Sequence, residues 1–161
     1  MSDVGDPPWL QAPVLDVVRW IVRSHRAAFG TPLLAGVATE GHPRLTAQEV
    51  FAADRVVMAH DGDTDPRLIY ANAAALRLWS RTWGEMIGLP SRLTAEPSEQ
   101  RERDQALAMA RLQEAMTGYG GIRVDRAGHR FRLAGARLWT LRDERGAVRG
   151  QAASFSDWWR L

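Results

Sequence analysis

The sequence predicts an α+β fold with one five-stranded antiparallel sheet, helices on one face of it and an extra helix at the N-terminus. Two short β-type segments precede several helical segments, and three further β-type segments joined by glycine-containing turns close the chain. Strands and helices in separate runs are typical of α+β proteins rather than alternating α/β proteins. A length of 161 residues with 45% hydrophobic residues suits one globular domain with its own core.

The N-terminal part divides into two predicted segments. Residues 1–9 are acidic and contain adjacent prolines, and we expect a disordered lead-in. Residues 10–29 have the apolar spacing of an amphipathic helix, with Gly30 placed to end it. The apolar stripe is wide for one edge of a small domain. Two interpretations stay open: packing against the sheet, or a homodimer interface through helix 10–29.

A short helix and two strands are predicted next. Thr46 and Glu49 have the spacing of a capping box, which favours a helix that starts there and ends near Ala53. Residues 55–60 and 67–71 then read as strands on either side of a polar turn, because β-branched and aromatic residues dominate them.

Three further helices are predicted, each started by a polar side chain that can accept a free N–H group. Asn72 would cap a helix that ends at Trp79, and Thr82 would cap a helix of little more than one turn. Ser98 would cap a long helix that continues to about Thr117. The inner face of that long helix is predicted to carry Ala106, Met109, Ala110, Gln113 and Met116.

The C-terminal part is predicted to be a three-stranded meander over residues 119–125, 130–141 and 147–155. Glycine in both turns supplies the positive φ that tight hairpins need. Gly135 interrupts the long middle strand and predicts a bulge or bend. Residues 156–161 are predicted to be a tail whose two tryptophans cover apolar surface of this domain or of a partner.

The composition excludes several kinds of chemistry. The chain contains no cysteine, which rules out disulfides, thiolate nucleophiles and zinc–cysteine sites. No apolar run approaches the roughly 20 residues of a membrane span, and the N-terminus lacks the pattern of a signal peptide. We therefore expect a cytoplasmic protein without a membrane partner.

Positive charge is concentrated near the C-terminus, although the formal net charge is only +2. Residues 118–150 hold eight arginines and three acidic residues. Such a segment could attract nucleic acid. However, sheets that read RNA present aromatic side chains, whereas Arg130 and Arg132 occupy one strand face here, so the sequence favours a solvated face or an acidic partner.

No catalytic motif and no metal site are predicted. The four histidines are scattered, with no partner residue implied by their spacing. Asp61, Asp63 and Asp65 imitate the first ligands of an EF-hand loop. Pro66 then stands where that loop needs glycine, and Asn72 stands where it needs a bidentate glutamate.

Three stretches resemble the MEKHLA domain, a PAS-related family found at the C-terminus of certain plant homeodomain-zipper regulators and in small stand-alone microbial proteins. They are residues 69–79 (IYANAAALRLW), 89–97 (LPSRLTAEP) and 150–155 (GQAASF). The resemblance extends over residues 11–155 and implies a single domain at 10–155. It implies a PAS-like sheet with a pocket between sheet and helices, and sensing or regulated association rather than a known reaction.

Candidate ligand-binding residues are those that this fold would place around the pocket. Trp79 and Trp83 are one helical turn apart and could line the pocket or fill it. Arg92 could bind a ligand carboxylate or phosphate, or could be tied to Glu96 or to backbone carbonyls. The full predicted set is Trp79, Trp83, Met86, Ser91, Arg92, Thr94, Met109, Phe131 and Gln151.

For cofactors, the resemblance gives mixed indications. Photosensing PAS relatives attach flavin to a cysteine, which this chain lacks. Gln151 lies on the final predicted strand, where such domains often place a flavin-contacting glutamine, so non-covalent flavin stays open. Haem-binding relatives place a histidine on the long helix, and residues 98–117 contain none, so haem is disfavoured.

The leading hypothesis is a PAS-like sensory or interaction module that binds a small ligand, a protein partner or both. One alternative is a pure protein-interaction or dimerisation domain with a collapsed pocket. A further alternative is a small enzyme, which would need converging buried polar groups around Ser91, Arg92 and Glu96.

Overall fold

One antiparallel sheet forms the centre of the computed structural model, which describes residues 5–36 and 40–161. Five strands run in the order β2-β1-β5-β4-β3, and a sixth, β6, pairs with β4. The strands are β1 (Val56–Asp61), β2 (Leu68–Ala71), β3 (Ala115–Val124), β4 (Arg130–Arg142), β5 (Val148–Phe155) and β6 (Asp157–Arg160).

Helices cover both faces of the sheet. They are α1 (Ala12–Phe29), α2 (Pro43–Ala52), α3 (Ala73–Trp79), α4 (Trp83–Met86) and α5 (Pro97–Gln113), with 3₁₀ turns at Pro8–Leu10 and Ser91–Thr94. The sequence prediction placed only the N-terminal helix apart from the others, and α2 in fact joins α1 on its face. In the described part of the chain, no helix has both the length and the hydrophobicity that crossing a membrane requires.

The first core lies between α1, α2 and the outer face of the sheet. Val18, Ile21 and Val22 of α1 are almost completely buried and pack in one cluster with Val57 and Trp139 of the sheet. The wide apolar stripe of this helix is therefore covered largely within its own chain. This packing reduces the exposed apolar surface on helix 10–29, where Val14, Val17 and Trp20 stay partly buried.

The second core lies between α3, α4 and the inner face. Trp79, which is 1% exposed, packs edge-to-face on Phe131 with ring centroids 5.1 Å apart, and also on Phe155 at 6.3 Å. Alternation along each strand separates the two cores, because successive side chains point to opposite faces. In β1, for example, Val57 belongs to the first core and Met58 to the second.

The N-terminal segment is more ordered than the sequence indicated. Residues 1–4 of the predicted lead-in lie outside the described residues. Within the rest, Trp9 stacks on Phe51 of α2 with ring centroids 4.1 Å apart, so a disordered lead-in up to residue 9 is wrong. An aromatic pair of this kind stabilises a turn that composition alone marks as irregular. Helix α1 then begins at Ala12, since Gln11 has extended dihedrals.

Prolines start two helices that the sequence analysis assigned to polar caps. Helix α2 begins at Pro43, which places Thr46 inside the helix and removes the predicted capping box. Helix α5 begins at Pro97, with Glu96 rather than Ser98 at the N-cap, and ends at Gln113. Proline is well suited to the first turn because its fixed φ is helical and its missing N–H is not needed there.

Gly135 marks the point where β4 changes its partner. Residues before it pair with β6, as in Leu133 with Trp158, and residues after it pair with β5, as in Arg137 with Ser154. Gly135 has a φ of 65°, which other residues adopt only at a cost. The predicted bend is confirmed.

The predicted C-terminal tail is instead a strand. Strand β6 follows β5 directly and pairs with the part of β4 that β5 leaves unpaired.

Candidate functional site

A cavity lies between α5 and the inner face of the sheet, beside the second core. Its volume is about 60 Å³, and most of its wall is apolar, including Met58, Leu68, Leu107 and Phe155. Seven polar side chains interrupt this wall: His60, Ser91, Thr94, Arg103, Tyr119, Arg123 and Gln151. A mostly apolar concave site with a few convergent polar groups is the usual form of a small-molecule site.

Strand register brings two of the polar groups together. His60 on β1 is paired directly with Gln151 on β5, so both side chains project from the same face. The Gln151 amide is bonded to α5, because its Nε2 donates to the Leu107 carbonyl at 3.0 Å and its Oε1 lies 3.5 Å from Nη1 of Arg111. Gln151 therefore connects the sheet to the long helix at the cavity wall.

Arg103 enters the cavity from α5. It lies one turn before Leu107 and two turns before Ala110, and so occupies the helix face that packs on the sheet. It is 7% exposed, and its Nη2 donates to Oγ of Ser91 at 2.7 Å. Burial, followed by the charge of Arg123, lowers the pKa of Arg103 to about 10. The side chain is thus a guanidinium in an environment that disfavours its charge.

Arg123 enters from β3 and is 6% exposed. Its Nη2 donates to the Tyr119 hydroxyl at 2.7 Å, and its Nη1 donates to the carbonyl of Ile122 at 2.8 Å. Gly121, between them on the same strand face, leaves the necessary room. A Cβ there would lie 2.9 Å from Nη1 of Arg123 and 3.1 Å from the Tyr119 oxygen.

His60 presents an unsatisfied nitrogen at the cavity. Its Nδ1 lies 2.8 Å from the Asp61 carbonyl, so Nδ1 carries the proton and Nε2 is an acceptor when the ring is neutral. Burial lowers the pKa of His60, which favours that neutral ring. Nε2 is buried and has no hydrogen-bond partner among the residues that the structure describes. A buried polar atom of this kind calls for a partner.

The cavity adjoins a wider cleft, of about 590 Å³, that opens between α5 and the β1–β2 turn. His60, Ser91, Arg103 and Gln151 border both spaces. The cleft therefore forms the mouth of the cavity and gives small molecules a route to it.

The acidic side chains around the mouth already have partners. Asp61 Oδ1 accepts from the backbone N–H groups of Asp63 and Arg67, and Asp65 forms an ion pair with Arg92 at 3.2 Å. These pairs keep the β1–β2 turn in one conformation. Neither a metal cluster of three or more acidic or histidine side chains nor a candidate for one occurs among residues 5–36 and 40–161.

The predicted site residues separate into three groups. Ser91, Thr94 and Gln151 line the cavity, and Arg92 lies at its mouth, where it pairs with Asp65 rather than with Glu96. Three others fill the core beside it: Trp79, Met86 and Phe131. Trp79 also supports the cavity wall, since its Nε1 donates to the Thr94 carbonyl at 3.2 Å.

Two predicted residues lie elsewhere. Trp83 packs with Tyr70 and Trp9 on the opposite face, because α4 is a single turn that points its first residue across the end of the sheet. Met109 is 50% exposed. Of the predicted inner face of the long helix, Ala110 is buried as expected, but the buried face includes Arg103 rather than Met109.

Four polar cavity residues were missed by sequence reasoning: His60, Arg103, Tyr119 and Arg123. Each carries a polar group, so hydrophobic patterning assigned it to the surface or to no face. One indication was available for Arg123, which lies in register opposite Phe131 and shares its face. A charged residue paired with a core aromatic is a candidate for an inward-facing functional group.

Comparison with known structures shows the fold. A PAS domain from Colwellia psychrerythraea is similar over 73% of this chain and 95% of its own, with 14% identity and a TM-score of 0.62. An RNA-binding light-oxygen-voltage receptor is similar over 81% of this chain but only 36% of its own, with 22% identity and a TM-score of 0.62. A light-oxygen-voltage domain studied with a flavin analogue matches over 71% and 83%, at 16% identity and a TM-score of 0.56.

Among curated proteins, none matches the chain. The sequence profile of the MEKHLA domain, however, matches residues 15–160, which is nearly the whole length. Strand order, helix placement and this match agree with one another: the chain belongs to the MEKHLA domain family and has the fold of PAS sensory domains.

Proposed function

We propose that the protein is a sensory module that binds a small molecule in the cavity between α5 and the sheet. The observation that carries the proposal is the convergence of His60, Arg103 and Arg123 on one mostly apolar cavity. Such groups are costly to bury and are retained most readily where a ligand satisfies them. Because the cavity wall includes α5 and residues from all of the strands β1 to β5, a ligand there is placed to shift the helix relative to the sheet.

The small volume of the cavity argues against a flavin in it. Sites for drug-sized ligands measure about 300–1,000 Å³, several times the 60 Å³ found here. Gln151, the residue that the family resemblance linked to flavin, already bonds Leu107. The cofactor of the light-oxygen-voltage relatives is therefore not proposed for this chain.

A fragment screen tests the proposed function. Ligand-observed NMR with neutral, cationic and anionic fragments should give binders, and Ala136→Leu, which fills the cavity from β4, should abolish their signals. Ala28→Leu on the exposed side of α1 is the matched control and should leave binding intact. Native mass spectrometry of freshly purified protein would add any ligand retained from the cell. Fragment binding unaffected by Ala136→Leu would contradict the proposal.

Protein association is a second candidate function, favoured by the C-terminal strand. Trp158 and Trp159 are 41% and 48% exposed on β6, on opposite faces of the sheet. Exposed tryptophans are enriched at interfaces. The homodimer through helix 10–29 also remains a proposal, although most of the apolar face of α1 is covered by the sheet.

Size-exclusion chromatography coupled to light scattering distinguishes the two candidate interfaces, because it gives the oligomeric state of each variant. A dimer that dissociates in Trp159→Ser but persists in Arg19→Glu, an exposed position on α1, would assign the interface to β6. The reverse pattern would assign it to α1. A monomer at all accessible concentrations would leave the protein without a homotypic interface.

A further inference from the structure

We infer that the cavity ligand is a small organic carboxylate that also carries a hydroxyl group. The inference rests on the proposed function, and names the ligand chemistry from three of the polar groups that line the cavity. Arg103 and Arg123 supply the anion-binding part, and Nε2 of His60 supplies the acceptor for a hydroxyl.

The positive charge at the cavity is not balanced by protein groups. Arg123 forms no ion pair with any residue in the described part of the chain, and its donors go to a neutral phenol and a carbonyl. Arg103 contacts one carboxylate, that of Asp104 at 3.3 Å, but that side chain is 67% exposed and approaches from the cleft. Two guanidinium groups with so little compensation favour an anion between or beside them.

The unsatisfied atom of His60 adds a second requirement. Nε2 is an acceptor in the neutral ring, because Nδ1 already faces the Asp61 carbonyl, and it needs a donor from the ligand. An ammonium group could donate, but it would bring a third positive charge close to Arg103 and Arg123. A hydroxyl group donates without that charge, so a hydroxycarboxylate suits the site better than an amino acid.

Size and lining restrict the rest of the ligand. About 10–15 Å³ is enough for one water, so 60 Å³ accommodates roughly four waters or a ligand of about that bulk. Leu68, Leu133 and Phe155 then contact its carbon chain. Nucleotides and other large phosphorylated molecules are too big for this space. Entry is from the cleft, where Ser91 and Arg103 border both volumes.

Matched ligands test the charge and the hydroxyl separately on the wild-type protein. Isothermal titration with straight-chain 2-hydroxycarboxylates, from glycolate to 2-hydroxypentanoate, would find the best chain length. For the three-carbon member, 2-hydroxypropanamide removes the charge and propanoate removes the hydroxyl. We expect at least about tenfold weaker binding of the amide, since charge-assisted hydrogen bonds are lost, and a smaller loss for propanoate.

Variants assign these effects to residues. Arg123→Met should weaken the binding of 2-hydroxypropanoate at least about tenfold and leave the binding of 2-hydroxypropanamide unchanged. Arg132→Met, an exposed arginine on the other face of β4, is the matched control and should bind like the wild type. In His60→Phe, 2-hydroxypropanoate and propanoate should bind equally, because the acceptor for the hydroxyl group is gone. Circular dichroism melts verify that each variant is folded, and the comparison of acid with amide needs no variant.

The outcomes test the hydroxycarboxylate ligand and the sensory cavity separately. Equal binding of acid and amide, or neutral fragments that bind while no carboxylate does, would overturn the hydroxycarboxylate and keep the sensory cavity. Binding of no fragment of any charge would overturn both.

Discussion

Arg103 of α5 and Ser91, in the turn after α4, are both buried and are joined by a 2.7 Å hydrogen bond. This bond holds the long helix to the segment that closes the cavity. Within the same segment, Thr94 Oγ1 donates to the Ser91 carbonyl at 2.7 Å, which stabilises its turn. The cavity wall is thus a hydrogen-bonded unit rather than a set of independent loops.

Ser91→Ala is expected to lower the free energy of unfolding by about 1.5–3 kcal/mol, because it removes a buried bond to a charged group. Urea denaturation followed by tryptophan fluorescence measures the change. Ser98→Ala is the matched control: Ser98 is exposed and makes no cap hydrogen bond, so its loss should cost less than about 0.5 kcal/mol. Equal costs would show that Ser98 caps α5 after all.

Asn72→Ala is expected to cost about 3 kcal/mol or more. The Asn72 side chain is fully buried and makes four hydrogen bonds, accepting from the N–H groups of Val57 and Ala75 and donating to the carbonyls of Val50 and Arg55. Its removal leaves those groups unpaired in the interior. Thr82→Ala, which deletes an exposed cap of α4, should cost only about 1 kcal/mol in the same denaturation experiment. Similar losses at the two sites would reduce Asn72 to an ordinary cap.

Gly150→Ala is expected to destabilise the fold by at least about 2–3 kcal/mol, and expression in inclusion bodies would be consistent with that. A Cβ at this position would lie 1.9 Å from the carbonyl oxygen of His60, and the φ of 151° disfavours any side chain. The clash is with backbone, which cannot rotate away. Thermal melts of both variants measure the difference. In Gly84→Ala, the added Cβ in α4 meets no atom within 4 Å, so this control should be neutral or slightly stabilising.

Stability is expected to fall between pH 7 and pH 5 through His25. Burial, with the charge of Arg137 next, lowers the pKa of His25 from 6.5 to about 4. Its Nε2 lies 3.1 Å from Nη1 of Arg137, a contact that needs the neutral ring. The folded state therefore binds fewer protons than the unfolded chain in this window, and stability decreases as the pH falls from about 6.5 toward 4.

From these pKa values the loss between pH 7 and pH 5 is about 2 kcal/mol, measured by urea unfolding at both pH values. His25→Gln keeps an acceptor for Arg137 but has no titrating group. Its unfolding free energy should therefore fall by about 2 kcal/mol less between pH 7 and pH 5 than that of the wild type. A residual dependence is expected from His60, whose pKa burial also lowers. An unchanged pH dependence in His25→Gln would contradict the assignment.

Sequence reasoning performed best where a local interaction determines the structure. Asn72 and Thr82 cap α3 and α4 as predicted, since a cap needs only the residue itself and the next turn. It was wrong where two local options compete. Pro43 and Pro97 begin their helices, although Thr46 and Ser98 fit the pattern of a cap. It also missed strand β6, because pairing of the C-terminus with β4 is a contact between distant parts of the chain.

The site was less predictable than the fold. Three of the nine predicted residues line the cavity, and Arg92 borders its mouth. The groups that give the cavity its chemistry, His60, Arg103 and Arg123, come from β1, α5 and β3, and no motif joins them.

By itself, then, the sequence determined the kind and order of the elements, the two side-chain caps and the family, because those follow from local preferences and short contiguous motifs. The tertiary structure alone decided which face each helix covers, that the C-terminus is a strand, and that two arginines and a histidine meet at one cavity. The physical reason is that burial of a charged side chain depends on strand register and helix rotation. Both are set by packing across the whole domain, whereas hydrophobic patterning assigns such residues to solvent.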